Sequence, residues 1–404
     1  MEPQRYMTVP QIGARMQSDS RCFFRVWAPH HKEVAVRLLA PHNREIPLVT
    51  EGRGYFRASV TDVQPGARYK LRIAGQDLPD PASQFQPDGV HGPSEVVAHD
   101  FGWTDHTWNN LPLGRYVIYE LHTGTFTPDG TLDAIIPHLD ELRGLGITAI
   151  EVMPVNQFPG ARNWGYDGVG LFAVQNSYGG PMAFKRLVNA CHERGLAVIL
   201  DVVYNHIGPE GNYFSLFGPY FTDHYKTPWG DALNFDGGGS DGVRAFFLAN
   251  IRQWFEEFHV DALRLDAVHA IYDGSARPVL AEFAQFTRQL EQRLGRRLYL
   301  MPETDLNDPR IVRAPELGGF GHDAQWNDDF HHAVHTLLTG ERQGYYADFG
   351  RVSDLAAAYE RGYVYEGQYS EYRDRRHGAL TTGLTAQRFV VCSQNHDQIG
   401  NRAQ

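Results

Sequence analysis

Residues 261–266 read Asp261-Ala262-Leu263-Arg264-Leu265-Asp266, an apolar strand that brings an arginine and then a carboxylate to its C-terminal end. Two other strand-like runs end similarly: residues 298–303 stop on a carboxylate, and residues 389–394 are followed by Asn395-His396-Asp397. In a barrel of parallel strands, the C-terminal ends share one face, where catalytic side chains from different strands meet. The pattern therefore predicts one active site with three carboxylates: Asp266, Glu303 and Asp397.

Such a group of carboxylates is what glycoside hydrolysis requires. One carboxylate must be ionised to attack the anomeric carbon, another must hold a proton for the leaving oxygen, and retention places them about 5 to 5.5 Å apart. Arg264 lies two residues before Asp266 and hence on the same strand face. Its charge would keep that carboxylate ionised. Any one of these acids alone is better explained as a helix cap or a surface residue. The three together with Arg264 are better explained as an active site.

These motifs resemble the α-amylase superfamily of glycoside hydrolases, whose four signature strand ends occur here in order. The first is Asp201-Val202-Val203-Tyr204-Asn205-His206, and the others are the Arg264, Glu303 and Asp397 segments already quoted. The resemblance implies a (β/α)8 barrel with Asp266 as nucleophile, Glu303 as general acid and base, and Asp397 as the carboxylate that binds and distorts the sugar. It also implies that His206 and His396 hydrogen-bond that sugar.

Flanking motifs are similar to those of one family within that superfamily, the maltooligosyltrehalose trehalohydrolases. They are Asn163-Trp164-Gly165-Tyr166-Asp167-Gly168-Val169, Phe172-Ala173-Val174-Gln175, Tyr178-Gly179-Gly180-Pro181, Asp266-Ala267-Val268-His269, and residues 325–332. The resemblance implies retaining hydrolysis of the α-1,4 bond next to the terminal trehalose of maltooligosyltrehalose. Glycogen branching enzymes and isoamylase-type debranching enzymes share the scaffold and stay open as alternatives, as does a non-catalytic glucan-binding protein.

Aromatic and polar residues near the strand ends are candidate sugar contacts. Sugars present apolar C–H faces on which Trp and Tyr can stack, and the resemblance places Tyr166 at the cleavage subsite. His269, Trp326 and Asp328 are expected on the leaving-group side, where trehalose must be recognised; the alternative for Asp328 is the start of a helix. The predicted substrate-binding set is Trp164, Tyr166, Asp167, His206, Arg264, His269, Trp326, Asp328 and His396.

Composition agrees with a large glucan-active enzyme. With 404 residues, of which 42% are hydrophobic and 21% charged, the chain can bury a large core and should form more than one domain. Its net charge of -11 argues against a nucleic-acid partner, whereas maltooligosyltrehalose and related α-glucans are neutral. No cofactor is expected. No metal is expected either. The resemblance places Asn205 at a position that holds calcium in many α-amylases, but the larger inserted loop that supplies the other ligands is not found. His331, His332 and His335 are interpreted as surface residues of a helix, because no Cys or carboxylate completes a zinc site with them.

Three widely spaced cysteines fit free thiols in a reducing cytoplasm better than a disulfide framework: Cys22, Cys191 and Cys392. The first eleven residues contain no apolar run that would serve as a signal peptide. No stretch approaches about 18 consecutive apolar residues, so no membrane span is expected. The sequence thus predicts a cytoplasmic protein.

Periodicity divides the chain into two predicted domains. Residues 1–105 show short period-two strands with turn signals, typical of a small immunoglobulin-like β-sandwich. Residues 106–404 alternate strands with helices, predicted at 132–142, 182–193 and 243–258, as expected for a (β/α)8 barrel. The Gly- and aromatic-rich residues between His206 and Asp241 are interpreted as a substrate-covering loop.

The number of strand candidates in the barrel region is about seven, where a closed barrel has eight. The sequence ends at Gln404, directly after the Asn395-His396-Asp397 motif. The expectation is a barrel whose last βα unit is missing, followed in relatives by a C-terminal β-domain. Such a fragment would expose a barrel edge, and exposed edges favour aggregation.

Overall fold

The structure is a computed structural model that describes residues 9–17, 20–40, 43–98 and 100–400. Nine strands form the N-terminal unit: β1 (Gly13–Gln17), β2 (Arg21–Trp27), β3 (Val34–Ala40), β4 (Arg44–Pro47), β5 (Val49–Gly52), β6 (Tyr55–Thr61), β7 (Arg68–Ile73), β8 (Gln76–Leu78) and β9 (Ser94–Glu95). One sheet has the order β1-β2-β6-β5 and the other β4-β3-β7-β8, with β9 also paired to β7. All the pairings are antiparallel.

Alternating burial explains why these strands form a sandwich. In β7, Tyr69, Leu71 and Ile73 are buried while the intervening positions are basic and partly exposed. Successive strand residues point to opposite faces, so one face of each sheet is apolar. The two apolar faces meet, as the edge-to-face contact of Phe24 in β2 with Tyr69 at 5.1 Å between ring centroids illustrates. The predicted β-sandwich is confirmed.

The remainder of the described chain alternates strands and helices. Its strands are β10 (Ile118–Leu121), β11 (Ala149–Val152), β12 (Asn156–Gln157), β13 (Gly170–Val174), β14 (Ala197–Val202), β15 (Phe221–Thr227), β16 (Gly230–Leu233), β17 (Ala262–Leu265), β18 (Tyr299–Pro302), β19 (Gln325–Trp326), β20 (Glu366–Ser370), β21 (Arg375–Gly378) and β22 (Phe389–Val390). Its α-helices are α1 (Thr123–Phe126), α2 (Leu139–Gly144), α3 (Gly180–Glu193), α4 (Phe214–Phe217), α5 (Ser240–Glu256), α6 (Val279–Leu294), α7 (Asp328–Thr339), α8 (Val352–Arg361) and α9 (His396–Gly400).

Seven of these strands follow one another around a barrel. Five form a parallel sheet in the order β10-β11-β14-β17-β18, a bridge between Glu303 and Trp326 connects β18 to β19, and β19 pairs with β22 in parallel. Within residues 100–400, no strand pairing joins β22 to β10. A cleft of about 580 Å³ separates them, lined among others by Tyr116, Glu120 and Phe389. The predicted barrel class and its count of about seven strands agree with this arrangement.

The barrel interior changes character from bottom to top. Alternate strand residues pack into a separate inner apolar cluster that contains Ala149, Ala197, Ile199, Ala262 and Met301. Residues between them, such as Ile150 and Leu263, belong to the larger core that includes the outer helices. Two residues further along the strands, the same alternation gives Glu120, Glu151, Asp201 and Arg264. The C-terminal mouth of the barrel is therefore lined with ionisable groups.

Two predicted elements differ from the structure. The helix predicted at 132–142 is split into a 3₁₀ segment with a proline, Asp133–His138, and the short α2, because Pro137 removes a backbone donor. The strand predicted at 389–394 keeps only the two residues of β22. Between His206 and Asp241, the segment interpreted as a substrate-covering loop contains α4 and the β15–β16 hairpin.

A buried ion cluster fixes the segment before β10 to the bottom of the barrel. His192 on α3 contacts Asp105 through Nδ1 at 2.8 Å and Asp261 through Nε2 at 2.9 Å, and its side chain is fully buried. Burial alone would lower the pKa of His192, but Asp261 and Asp105 raise it above its ordinary value. Both ring nitrogens face carboxylates, so the imidazolium form suits this site.

Replacing His192 by glutamine is expected to lower the free energy of unfolding by about 3 kcal/mol, because two buried carboxylates lose the imidazolium that lies between them. The pKa of His192 is raised in the folded protein. Its contribution to the free energy of unfolding is therefore complete below its pKa in the unfolded chain, about 6.5, and is lost as the pH rises through its pKa in the folded protein. Urea denaturation between pH 6 and 9 would measure both effects. The exposed His138, paired with Glu141, is the control; an equal loss for His138→Gln would contradict the prediction.

Two other expectations can be compared with the described residues. Cys22, Cys191 and Cys392 are free, and the first two are buried. Burial raises the pKa of the Cys22 thiol to about 12, so that it behaves as a small apolar side chain. Among the described helices, none is long and apolar enough to cross a membrane.

Candidate active site

The guanidinium of Arg264, on β17, lies among all three predicted catalytic carboxylates. Its Nη1 donates to Oδ1 of Asp266 at 2.7 Å. Its Nη2 lies 3.7 Å from Oε2 of Glu303 and 4.0 Å from Oδ2 of Asp397. The structure therefore brings these side chains together at the C-terminal ends of barrel strands. Arg264 and Asp397 are 133 positions apart in the sequence.

Asp266 follows the last residue of β17 and is held in one orientation by amide and guanidinium donors. Nδ2 of Asn205 donates to the backbone carbonyl of Asp266 at 2.7 Å and to its Oδ2 at 2.8 Å, while Arg264 holds Oδ1. Arg264 also donates to Asp201 on β14, at 2.8 Å to Oδ2. Because both oxygens of Asp266 accept hydrogen bonds, the carboxylate is held in a fixed orientation.

Glu303 follows β18 and has the environment of a protonated acid. Burial raises its pKa, and the charges of Asp266 and Asp397 raise it further, against the opposing effect of Arg264. Its Oε2 accepts a hydrogen bond from the backbone N–H of Ala267 at 2.7 Å. Ala267 has a φ of 39°, a left-handed conformation that costs a residue with a Cβ about 1 kcal/mol or more. Two neighbouring carboxyls with different environments are thus suited to different roles.

Asp397 is the most exposed of the three carboxylates, with 42% of its side chain accessible. It lies in the short helix α9, and its backbone N–H donates to Oδ1 of Asn395 at 3.0 Å. Its position above Arg264 leaves one side of the carboxylate open to the mouth of the barrel. The motif that predicted a strand end here instead provides a tight turn into α9.

A hydrogen-bonded chain connects Asp201 to His396. The Tyr166 hydroxyl donates to Oδ2 of Asp201 at 2.6 Å and lies 2.7 Å from Nε2 of His396. The Tyr166 and His396 rings are stacked with centroids 5.2 Å apart. The indole of Trp164, 41% exposed, contacts the edge of the same imidazole. These three predicted substrate contacts therefore form one wall beside the carboxylates.

One predicted sugar contact, His206, is occupied by the protein itself, and another, Asp167, has a single side-chain partner within the described part of the chain. Nε2 of His206 lies 2.8 Å from the carbonyl oxygen of Tyr166, and its Nδ1 contacts Oδ1 of Asn205. His206 thus has no free ring nitrogen for a sugar hydroxyl, in contrast to the prediction. The exposed Asp167 accepts a hydrogen bond from Nδ2 of Asn163 at 2.7 Å and stiffens the loop that carries Tyr166.

The three residues predicted on the leaving-group side have different environments. Nδ1 of His269 lies 3.9 Å from Oδ1 of Asp305, and His269 opposes the rise in the pKa of Glu303 that burial causes. Asp328 is the first residue of α7, as the helix-start alternative proposed, and is partly exposed. Burial, followed by the charges of Glu303 and Asp397, raises its pKa well above the ordinary value. His269 and Asp328 therefore border the catalytic carboxylates.

Trp326 requires a correction. The prediction placed it beyond a strand end and in contact with substrate, but it is the second residue of β19 and only 5% exposed. Its indole packs in the inner apolar cluster with Met301 and Ala324. The bridge between Glu303 and Trp326 pairs these two residues in register, so the buried tryptophan packs beside the strand end that carries Glu303.

Several residues of the site were absent from the predicted set. Asn205 and Asp201 occur in the first signature motif, which was a signal for both, and Asn205 was considered only as a calcium ligand. Trp229, at the tip of the β15–β16 hairpin, stacks on His206 with centroids 4.6 Å apart. Glu120 accepts hydrogen bonds from His396. Neither Trp229 nor Glu120 belongs to a motif that the sequence singled out.

Asn205 and His335 are among the side chains that could bind a metal. Within the described ranges, no group of three or more His, Cys, Asp or Glu side chains has the arrangement of a metal site. The side-chain amide of Asn205 donates to Asp266, and its oxygen contacts His206. His335 pairs with Glu341 at 2.7 Å. These side chains are engaged with protein partners.

Two protein-family models match the chain. The model described as alpha amylase, catalytic domain, matches residues 95–228. The model described as carbohydrate-binding module 48 (isoamylase N-terminal domain) matches residues 11–97. The second match covers the β-sandwich and the first covers the beginning of the barrel.

Curated relatives and a solved structure resemble almost the whole chain. It is 51% identical over 97% of its length to malto-oligosyltrehalose trehalohydrolase of Saccharolobus solfataricus and 46% identical over 94% to that of Arthrobacter ramosus. It covers 68% and 67% of these proteins, so it spans about two thirds of their length. The crystal structure of an alpha amylase candidate from Salmonella typhimurium matches with a TM-score of 0.88 and 40% identity, over 97% of this chain and 67% of that one.

Proposed function

Because the chain belongs to the malto-oligosyltrehalose trehalohydrolase family of α-amylase-type glycosidases, we propose that it hydrolyses the α-1,4 bond next to the terminal trehalose of maltooligosyltrehalose. The observation that carries this proposal is the convergence of Asp266, Glu303 and Asp397 on one guanidinium, that of Arg264. One fixed anion beside one protonated acid is the arrangement that retaining glycosidases use. Its proposed products are trehalose and a shortened maltooligosaccharide.

In the proposed reaction, Asp266 attacks the anomeric carbon while Glu303 gives its proton to the glycosidic oxygen. Trehalose leaves, and a covalent glycosyl–Asp266 ester remains. The ionised Glu303 then removes a proton from water, which attacks the same carbon and releases Asp266, so that two inversions give overall retention. Glu303 thus regains a proton from water and Asp266 its free carboxylate, while the leaving oxygen keeps the donated proton as a hydroxyl of trehalose.

The remaining side chains of the site are proposed to hold the sugar in place. Asp397, open to the barrel mouth, can accept hydrogen bonds from sugar hydroxyls while Arg264 keeps it close to Asp266. The Tyr166 ring offers a face for the apolar side of the glucosyl ring. His269 and Asp328 border Glu303, whose proton goes to the leaving group, and therefore suit recognition of trehalose hydroxyls.

The direct test is product analysis with the full-length protein on maltotriosyltrehalose. The expected products are free trehalose and maltotriose in equal amounts. Two alternatives on the same scaffold have different outcomes: a branching enzyme would create new α-1,6 linkages in amylose, and a debranching enzyme would release linear chains from amylopectin. A glucan-binding protein would bind maltotriosyltrehalose without releasing any sugar.

Replacing Asp328 by alanine is expected to reduce kcat/KM for maltotriosyltrehalose about tenfold more than kcat/KM for a plain maltooligosaccharide. Losing a hydrogen bond to a bound hydroxyl costs about 1 to 3 kcal/mol when the partner stays unpaired, and only the first substrate presents trehalose there. The ratio of the two values on the same variant cancels any loss of stability. Equal losses would assign Asp328 to the start of α7 alone.

A further inference from the structure

Glu120, on β10, is a residue of the site that neither the motifs nor the proposed chemistry uses. Its carboxylate accepts two hydrogen bonds from His396, one from the backbone N–H at 2.8 Å and one from Nδ1 at 2.9 Å. The side chain of Glu120 is 15% exposed and that of His396 is 8% exposed. This two-point contact fixes both the position of α9 at its first residue and the orientation of the imidazole.

The protonation state of His396 follows from its hydrogen-bond partners. Nη1 of Arg264 lies 3.0 and 2.8 Å from the two oxygens of Asp201, which favours the carboxylate form although burial raises the pKa of Asp201 to about 7. A carboxylate only accepts, so Tyr166 donates its single proton to Asp201. The Tyr166 oxygen must then accept from Nε2 of His396, while Nδ1 donates to Glu120. Both ring nitrogens carry protons, and the ring is an imidazolium.

Charged and titratable groups face this imidazolium from several elements. They are Glu120 on β10, His122 after it, Tyr166 in its loop, Asp201 on β14, Arg264 on β17 and Asp397 on α9. Arg264 and His122 oppose a positive charge. Asp397, 3.6 Å from Nε2, is exposed to solvent and by the proposed function binds substrate, so Glu120 is the buried counterion.

We propose that Glu120 is a positioning residue for glycoside cleavage, which acts by holding His396 as an imidazolium that in turn orients Tyr166 and Asp397. This role rests on the proposed function, because it concerns the groups that grip the sugar. Burial alone would lower the pKa of His396, but the hydrogen bond and charge of Glu120 raise it. Burial opposes ionisation of Glu120 as well, yet His396 lowers its pKa.

A matched control lies on the neighbouring strand. Glu151, on β11, is the register partner of Glu120 and is fully buried. Neither of its carboxyl oxygens has a hydrogen-bond partner among the described residues, and burial, helped by Glu120 and Asp201, raises its pKa well above the ordinary value. A neutral carboxyl is close in shape and charge to an amide, so Glu151→Gln changes the same layer of the barrel without changing its charge.

The experiment uses full-length protein with ¹³C- and ¹⁵N-labelled histidine, in which the ring signals of His396 are assigned by their loss in His396→Gln. At pH 7.5 the wild type and Glu151→Gln are expected to show an imidazolium at this position. In Glu120→Gln, the pKa of His396 should fall by about one unit or more. The same variant should lose about tenfold or more in kcat, with a smaller change in KM, and Glu120→Asp should recover part of both.

Two results would overturn the proposal: an unchanged imidazolium signal in Glu120→Gln, or equal losses of kcat in Glu120→Gln and Glu151→Gln. If Glu120→Gln does not fold, the wild-type titration decides, since a neutral His396 at pH 7.5 excludes the role. The NMR measurement needs no substrate. Failure to release trehalose would therefore reject the proposed function without deciding the charge of His396.

Discussion

Replacing Asp266 by asparagine in the full-length protein is expected to lower kcat by about 10⁴-fold or more, because the proposed nucleophile is lost from a reaction that its partners cannot perform alone. The amide keeps the size of the side chain, and Asn205 and Arg264 still surround it. Binding of maltooligosyltrehalose, which is spread over aromatic and hydroxyl contacts, should stay within a few fold. Calorimetric titration and single-turnover kinetics on the same preparation would measure the two quantities separately.

A second buried arginine–carboxylate pair provides the control for this variant. Arg244 on α5 and Asp273 are paired at 2.5 Å, with side chains 11% and 4% exposed. Asp273→Asn should lower stability, since Arg244 loses a partner, but it should retain kcat. A residual kcat above about 1% of the wild-type value in Asp266→Asn would remove Asp266 from the nucleophile role.

Replacing Glu303 by glutamine is expected to abolish the alkaline limb of the kcat/KM profile and nearly all activity on natural substrates. The pKa of Glu303 is raised, so the proton-donating form is complete at low pH and is lost as pH rises through that pKa. Glutamine cannot donate this proton at any pH. The loss should reach about 10³-fold or more on maltotriosyltrehalose, in line with the loss of a general acid that later acts as base.

A glucosyl fluoride separates the two roles of Glu303, because fluoride leaves without protonation. The Glu303→Gln variant should form the glycosyl–Asp266 ester from this substrate but hydrolyse it slowly. Added azide, an anionic nucleophile that needs no base, should then increase turnover and give a glycosyl azide of retained configuration. A bell-shaped profile like that of the wild type would exclude Glu303 as the acid.

The strand-end motifs predicted much of this molecule because barrel geometry connects sequence position to spatial position. A carboxylate that follows an apolar strand of a parallel barrel has only one face on which to lie, and Asp266 and Glu303 both lie there beside Arg264. The β-sandwich was predictable for a similar reason: the alternation of apolar and polar residues in β7 is typical of a strand with one buried face, and that face must pack against another sheet. Both depend on local pattern and on a rule that holds for the whole fold.

The residues that the sequence did not reveal depend on contacts between distant segments. Glu120 looks like an ordinary strand residue until α9 places His396 against it, 276 positions later. Trp229 lies in a hairpin without periodicity, and its contact with His206 follows from the path of β15 and β16. The prediction for Trp326 was wrong because a short strand was not recognised. The two-residue β19 turns its side chain inward, and no sequence pattern distinguishes that strand from the loop around it.

The hydrogen bond from the N–H of Ala267 to Glu303 has a consequence for the timing of the reaction. A backbone donor interacts more strongly with a carboxylate than with a carboxylic acid, so this contact strengthens at the moment when Glu303 has lost its proton. It therefore favours the first half-reaction, in which Glu303 gives up its proton, and weakens Glu303 as a base in the second. Because Ala267 directly follows Asp266, the left-handed turn at φ 39° places the donor that stabilises ionised Glu303 next to the residue that becomes esterified.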